Sequence, residues 1–363
     1  MSGTAPPGSL PATGAVLEGL EGRINLRSLA SSFLAQFFPL DIARPHLRAE
    51  ALFGYSPTEG TPALRARIAE AVQGHPDEIV VTDGASQAIF LILLAALAPG
   101  ATILVPRPVF PAYLRIAAYR NCNIRFYEWR ADGAGLLERL GAADSGEVDA
   151  VILNSPHNPT GTALEGAARE TVAAMLGRMR QRVILDDTYG WLDAGGAEQI
   201  THFHRFAAER PRAAGVAAVG SLGKLLCLPG LRLGFVMTRD PVLRDGIIEA
   251  KRHLVQASCS ASEHLAGALL ASAAWLEGRS RLVAALDERR REFGRVTRHG
   301  VRLAAGGRGF YAYAGAVAPL RALGVDGIDG PVFAGAADEA RYCLAASAAD
   351  WSRFTAMLHD APD

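Results

Sequence analysis

From about residue 79 onward, short β-branched runs alternate with helical stretches, which restricts this 363-residue chain to an α/β fold: a mainly parallel sheet covered by helices on both faces. The predicted strands, seven in all, are Ile79–Thr82, Thr102–Val105, Ile124–Glu128, Ala150–Asn154, Arg182–Asp186, Val216–Ser221 and Leu233–Met237. Nearly every one runs into a polar or glycine-containing segment: Asp83 to Ser86, Asn154 to Thr162, Asp186 to Tyr189, Ser221 to Lys224. Ligands of open α/β sheets bind at the carboxyl ends of strands, so these four segments are expected to converge on one crevice.

After about residue 265 the pattern changes. A long helical stretch with Leu282, Val283, Leu286 and Phe293 leads to short strands near Val301–Leu303, Phe310–Tyr313 and Arg341–Ala345, then to a helix around Trp351–Leu358. This reads as a smaller α+β unit. The expected division is a loose tail over 1–19, a segment over 20–45 that joins the smaller unit, a large unit over 46–265 and the small one over 266–363.

Several function classes are excluded at this level. Acidic and basic residues balance to a formal charge of zero, so there is no electrostatic footprint for nucleic acid. The arginine-rich stretch Arg279 to Arg298 is interrupted by Asp287, Glu288 and Glu292 and reads as a solvated helix face. Cys122, Cys227, Cys259 and Cys343 are scattered without zinc spacing and suit a reducing cytoplasm; His202 and His204 stand without further ligands, so no metal is expected. The start lacks the basic and apolar regions of a signal peptide. The apolar run Ala88 to Ala98 stops at Pro99-Gly100, too short for a bilayer, and is expected to be a buried helix.

Only Lys224 and Lys251 of the 37 basic residues are lysine. Arginine supplies surface charge equally well, so a retained lysine points to what a primary amine alone can do, such as forming an imine. Lys224 lies among small and apolar residues, from Ser221 to Gly234, where desolvation would favour the neutral, nucleophilic amine; a chance surface lysine beside a Gly-Pro turn is the plain alternative. Lys251 has no motif around it.

Other chemistry-bearing segments surround Lys224. Gly84-Ala85-Ser86 opens the helix predicted over Gln87–Leu97, and free backbone N–H groups there suit a phosphate, although such corners are common as plain structure. Asn154 to Gly161 is a rigid loop with two prolines and a glycine, in which Asn158 is held extended by Pro159. Asp186 ends an apolar strand and needs a cationic partner; Tyr189 follows it, and Arg232 lies eight residues beyond Lys224.

In order and approximate spacing, Asn158, Asp186, Tyr189, Ser221, Lys224 and Arg232 match N-P-x-G, D-x-x-Y, S-x-x-K and G-x-R-x-G. With these motifs the chain resembles the fold-type I pyridoxal-phosphate enzymes, specifically the class I/II aminotransferases. The resemblance implies a pyridoxal 5'-phosphate cofactor carried as a Schiff base on Lys224, which also shuttles the proton, with Asp186 on the pyridine nitrogen and Asn158 and Tyr189 on the phenolic oxygen. It implies a phosphate site made by Gly84, Ala85, Ser86, Ser221 and Arg232, with Phe110 stacked on the ring. Phe110 also reads as a core aromatic after a strand. Tyr55 would reach the phosphate of a partner subunit, which makes the active form at least a dimer. Arg341 would bind the substrate α-carboxylate; the alternative is a surface arginine.

The implied function is an aminotransferase acting on an α-amino acid with a 2-oxo acid acceptor. A same-fold cyclase, eliminase, decarboxylase or oxidase, or a non-catalytic sensor, are the alternatives. Gly223 stands where a small hydroxyl residue is frequent and Asp187 where Glu is commoner. Residues 20–45 lack the usual glycine-containing segment that closes over substrate.

Overall fold

The computed structural model describes residues 22–38, 53–141, 148–192, 215–304 and 307–360. In chain order their strands are β1 (Ile24–Asn25), β2 (Ile79–Thr82), β3 (Thr102–Arg107), β4 (Asn123–Glu128), β5 (Ala150–Asn154), β6 (Arg182–Asp186) and β7 (Val216–Gly220), followed by β8 (Gly234–Met237), β9 (Arg302–Leu303), β10 (Tyr311–Gly315), β11 (Val325–Asp326), β12 (Ile328–Asp329) and β13 (Ala340–Cys343).

Seven of these form one sheet in the order β2-β8-β7-β6-β5-β3-β4. Strands β3 to β7 pair in parallel, as expected, but β8 is antiparallel to both neighbours. A parallel return needs a crossover, usually a helix, that carries the chain back along the sheet. Between β7 and β8 the chain makes only the single turn Leu222–Leu225 and the 3-10 turn Pro229–Leu231, so β8 returns directly.

The pleat divides the strand residues between two cores. Leu104, Val151, Leu153, Val183 and Leu185 face one, and Ile103, Val105, Ile152, Ile184 and Val219 the other. The second core is closed by the helices Ala85–Ala96, Pro111–Tyr119 and Pro241–Leu254. The first of these is the expected buried helix, with Ile89, Leu91, Ile92 and Leu93 inside. It starts two residues before the predicted Gln87, because Gly84 at φ 90° turns the chain from β2 straight into it.

The other core continues into a second, four-stranded antiparallel sheet, β12-β13-β10-β9, and the helices Ala273–Phe293 and Ala348–Asp360. The amino-terminal stretch lies against this part: β1 pairs with β11, Cys343 N–H donates to the Leu26 carbonyl at 2.6 Å, and Ala30 N–H to the Ala345 carbonyl at 2.8 Å. The boundary expected after residue 265 falls inside the helix Ser260–Leu270; the break before the long helix comes at Ala271 and Ser272. The tail 1–19, residues 39–45, and His202 and His204 lie outside the described residues.

The arginine-rich face is not wholly solvated, contrary to expectation. Arg289 is 9% exposed, its guanidinium stacked on Phe33 (3.8 Å) and Trp351 (4.7 Å) and donating to the carbonyls of Leu344 and Ala346. A guanidinium tolerates this because its flat faces take aromatic contact while its edge is hydrogen-bonded. No helix among the described residues is long and apolar enough to cross a membrane.

Candidate active site

At the carboxyl ends of β2, β5, β6 and β7 the four polar segments meet around a cavity of about 290 Å³, closed on the far side by residues of β10 and β13. At the end of β2, Gly84, Ala85 and Ser86 present the amino end of the 12-residue helix to it. A Cβ on Gly84 would stand 3.1 Å from the Arg232 guanidinium, and one on Gly234 would stand 2.7 Å from the Ala85 nitrogen. The two glycines thus bring β8, the helix start and Arg232 together into a cradle of backbone donors and one cation. Ser221 caps the turn that carries Lys224, accepting the Lys224 N–H at 3.3 Å, which leaves its own hydroxyl proton free to donate.

Lys224 reaches into the cavity half-buried, its Nζ 5.7 Å from the centre of the Phe310 ring. Gly223 next to it has a steric reason: a Cβ would come within 3.3 Å of the Leu228 carbonyl and Pro229. Lys251 is the opposite case, a fully buried lysine away from the cavity. It donates to the Thr58 carbonyl at 2.6 Å near buried Glu263, which accepts the Thr61 N–H at 2.7 Å. It therefore fastens the turn that follows Tyr55.

Asp186 is 4% exposed at the end of β6. Its Oδ2 accepts the Tyr113 hydroxyl and its Oδ1 the Thr188 N–H at 3.1 Å. Burial pushes its pKa up, and these hydrogen bonds oppose that shift. Among the described residues no lysine or arginine pairs with it. A buried carboxylate that faces a cavity and is not itself ion-paired is suited to a ligand that supplies a cation.

The loop after β5 is organised by Asn154. Its Oδ1 accepts the Asn158 N–H at 2.8 Å, and its Nδ2 donates to the carbonyls of Pro156 and Asp186. Asn158 is thereby held with its amide between Tyr189, to whose hydroxyl it donates at 3.4 Å, and Arg341, which donates to its Oδ1 at 3.0 Å. Tyr189 stays a neutral phenol: burial, then Tyr311 beside it, raises its pKa well above the usual value. His157 behind this loop stacks on Trp129, bonds Thr160 at 2.8 Å and is held neutral by burial, with its pKa lowered to about 3.

Arg341 is no surface arginine. It is 9% exposed, with its guanidinium 4.0 Å from the Tyr311 ring centre and 4.9 Å from that of Phe333. Among the described residues its buried Nε has no hydrogen-bond partner, an edge left open for an acceptor. Phe110 lines the cavity and meets Tyr113 edge-on at 5.5 Å. Tyr55 alone of the expected residues is absent from the cavity and stands 85% exposed.

Asn154, Thr188 and Tyr311 also line the cavity, and sequence reasoning passed them over as site residues. Asn154 and Thr188 lie inside quoted segments. Tyr311 sits on a short strand of the other sheet, where no motif marks it. Lys224, Arg232 and Arg341 set three cations against the single carboxylate Asp186, so the cavity suits an anionic ligand carrying phosphate and carboxylate groups.

The model of the family described as aminotransferase class I and II matches residues 24–315. The probable aminotransferase TAT2 of Arabidopsis thaliana is 32% identical over 226 residues, covering 59% of this chain and 52% of that protein. Nicotianamine aminotransferase B of Hordeum vulgare is 33% identical over 195 residues, covering 50% of this chain and 34% of its own. The chain thus spans about half the length of these curated relatives, or less. A Thermus thermophilus aspartate aminotransferase double mutant shares the fold, with a TM-score of 0.77 at 20% identity over 92% of this chain and 90% of that one.

Proposed function

The chain belongs to the class I and II aminotransferases, and from that premise we propose that it is a pyridoxal-phosphate-dependent aminotransferase, moving the amino group of an α-amino acid to a 2-oxo acid. The observation that carries this is the gathering of Lys224, Asp186, Asn158, Tyr189, Arg232 and Arg341 around one cavity. When bound, pyridoxal phosphate supplies an aldehyde that condenses with amines and a pyridinium ring that takes up the electrons left at Cα.

The residues fit that group. The Gly84–Ser86 corner with Ser221 and Arg232 would hold the phosphate; Asp186, buried and not ion-paired, would accept the ring N–H; Asn158 and Tyr189 would donate to the phenolic oxygen. Phe110 would cover a ring face. Lys224 would be the amine that attaches the cofactor and, when free, the base that takes the proton from the substrate Cα and returns it. Arg341 takes the α-carboxylate on its open edge, held flat by Tyr311 and Phe333, so that the Cα proton faces Lys224.

Exposed Tyr55 supports a homodimer in which it reaches the partner's phosphate site. A large unit and a small one that begins after the break at Ala271 and Ser272, with 22–38 joined to the second, are read as meeting at the cavity. Four cysteines without disulfides suit the cytoplasm.

The test is a half-reaction. Holoenzyme is incubated with single amino acids while the cofactor spectrum is followed. One donor should convert it to the pyridoxamine form with one equivalent of 2-oxo acid released. Release of ammonia, carbon dioxide or peroxide in place of that exchange would overturn the assignment.

A further inference from the structure

We propose that Tyr113 is a positioning residue for the cofactor's ring nitrogen: its buried hydroxyl, donated to Asp186, orients that carboxylate and keeps it anionic. This rests on the proposed cofactor reading and adds to it a residue outside the cavity lining. Tyr113 is the third residue of the helix Pro111–Tyr119, 1% exposed, and its hydroxyl donates to Asp186 Oδ2. Phe110, at the start of the same helix, meets its ring edge-on, so one helical turn supplies both the ring-covering aromatic and the support beneath the carboxylate.

Two effects compete at Asp186. Burial favours the neutral acid, which could not pair with a pyridinium. Against it stand two donors, the Tyr113 hydroxyl and the Thr188 N–H. The Thr188 side chain also favours the anion, and Tyr113 is the side chain hydrogen-bonded to Oδ2. The shared proton stays on Tyr113, because burial and the Asp186 charge push the phenol's pKa far above its usual value. The bond also fixes direction: with Oδ2 held by Tyr113 and Oδ1 by Thr188, the carboxylate cannot rotate, and its remaining lone pairs are what the cavity meets. Tyr113 touches neither cofactor nor substrate in this account and acts through Asp186.

The experiment compares pyridoxal phosphate with 1-deazapyridoxal phosphate, which lacks the ring nitrogen, by their dissociation constants from wild type, Tyr113→Phe, Asp186→Asn and the double variant. Tyr113→Phe should bind pyridoxal phosphate at least about tenfold more weakly while its affinity for the deaza analogue stays within about twofold. In the Asp186→Asn background the same change should have no such selective effect. Equal weakening of both ligands, or no weakening of either, overturns the proposal. Asp186→Asn leaves the Tyr113 ring in place, so loss of selectivity there without any loss in Tyr113→Phe also overturns it. If wild type attaches neither ligand, the cofactor reading itself fails, and that outcome is separate from these.

Discussion

Arg341 packs its guanidinium against Tyr311 and Phe333 and sets one nitrogen on Asn158, which leaves Nε and its edge for a substrate carboxylate. A lysine there keeps the charge but loses the fork and the stacking. Arg341→Lys should lower kcat/KM for the amino donor about 10- to 100-fold, with cofactor affinity little changed, in steady-state assays. His157 provides a pH prediction. Its pKa is about 3 in the folded chain against 6.5 when exposed, so the unfolded state binds more protons between those values. Its contribution to stability is full above pH 6.5 and is lost as pH falls toward 3. Across that window stability should drop by roughly 1.4 kcal/mol per pH unit from this residue alone, and urea titrations of His157→Gln should show a flatter profile.

At the scale of elements, the cradle depends on β8 lying against the start of the helix Ala85–Ala96. A Cβ on Gly234 would meet the backbone of Gly84, Ala85 and Gly220 at 2.7–2.8 Å, and backbone cannot step aside as a flexible side chain can. Gly234→Ala should cost about 1–3 kcal/mol in urea unfolding and weaken cofactor binding as well. The central strands were readable because burial on both faces makes each a continuous apolar run. Most motif residues were readable because they lie in the short polar segments that follow such strands. The direction of β8 was not, since it depends on where thirteen intervening residues turn and not on their hydropathy. Tyr113, Tyr311 and the clamp from Lys251 to Thr58 were equally hidden: each joins elements far apart in sequence, and only packing brings them together.

For the whole molecule, two sheets share one core and the cavity lies where they meet, lined by Lys224 beyond the carboxyl end of β7 and by Arg341 of the small sheet. Tyr55 is too exposed to serve its own chain's cavity, so light scattering should return twice the chain mass. Tyr55→Phe should weaken cofactor binding about tenfold without changing that mass. If Lys224 carries the cofactor, the scarcity of lysine makes that attachment easy to locate. Protein mixed with pyridoxal phosphate is reduced with borohydride, digested and mapped by mass spectrometry. The added phosphopyridoxyl mass should appear on the Lys224 peptide and not on the Lys251 peptide. An unmodified Lys224 peptide, or equal labelling of both, would rule out Lys224 as the cofactor's attachment point.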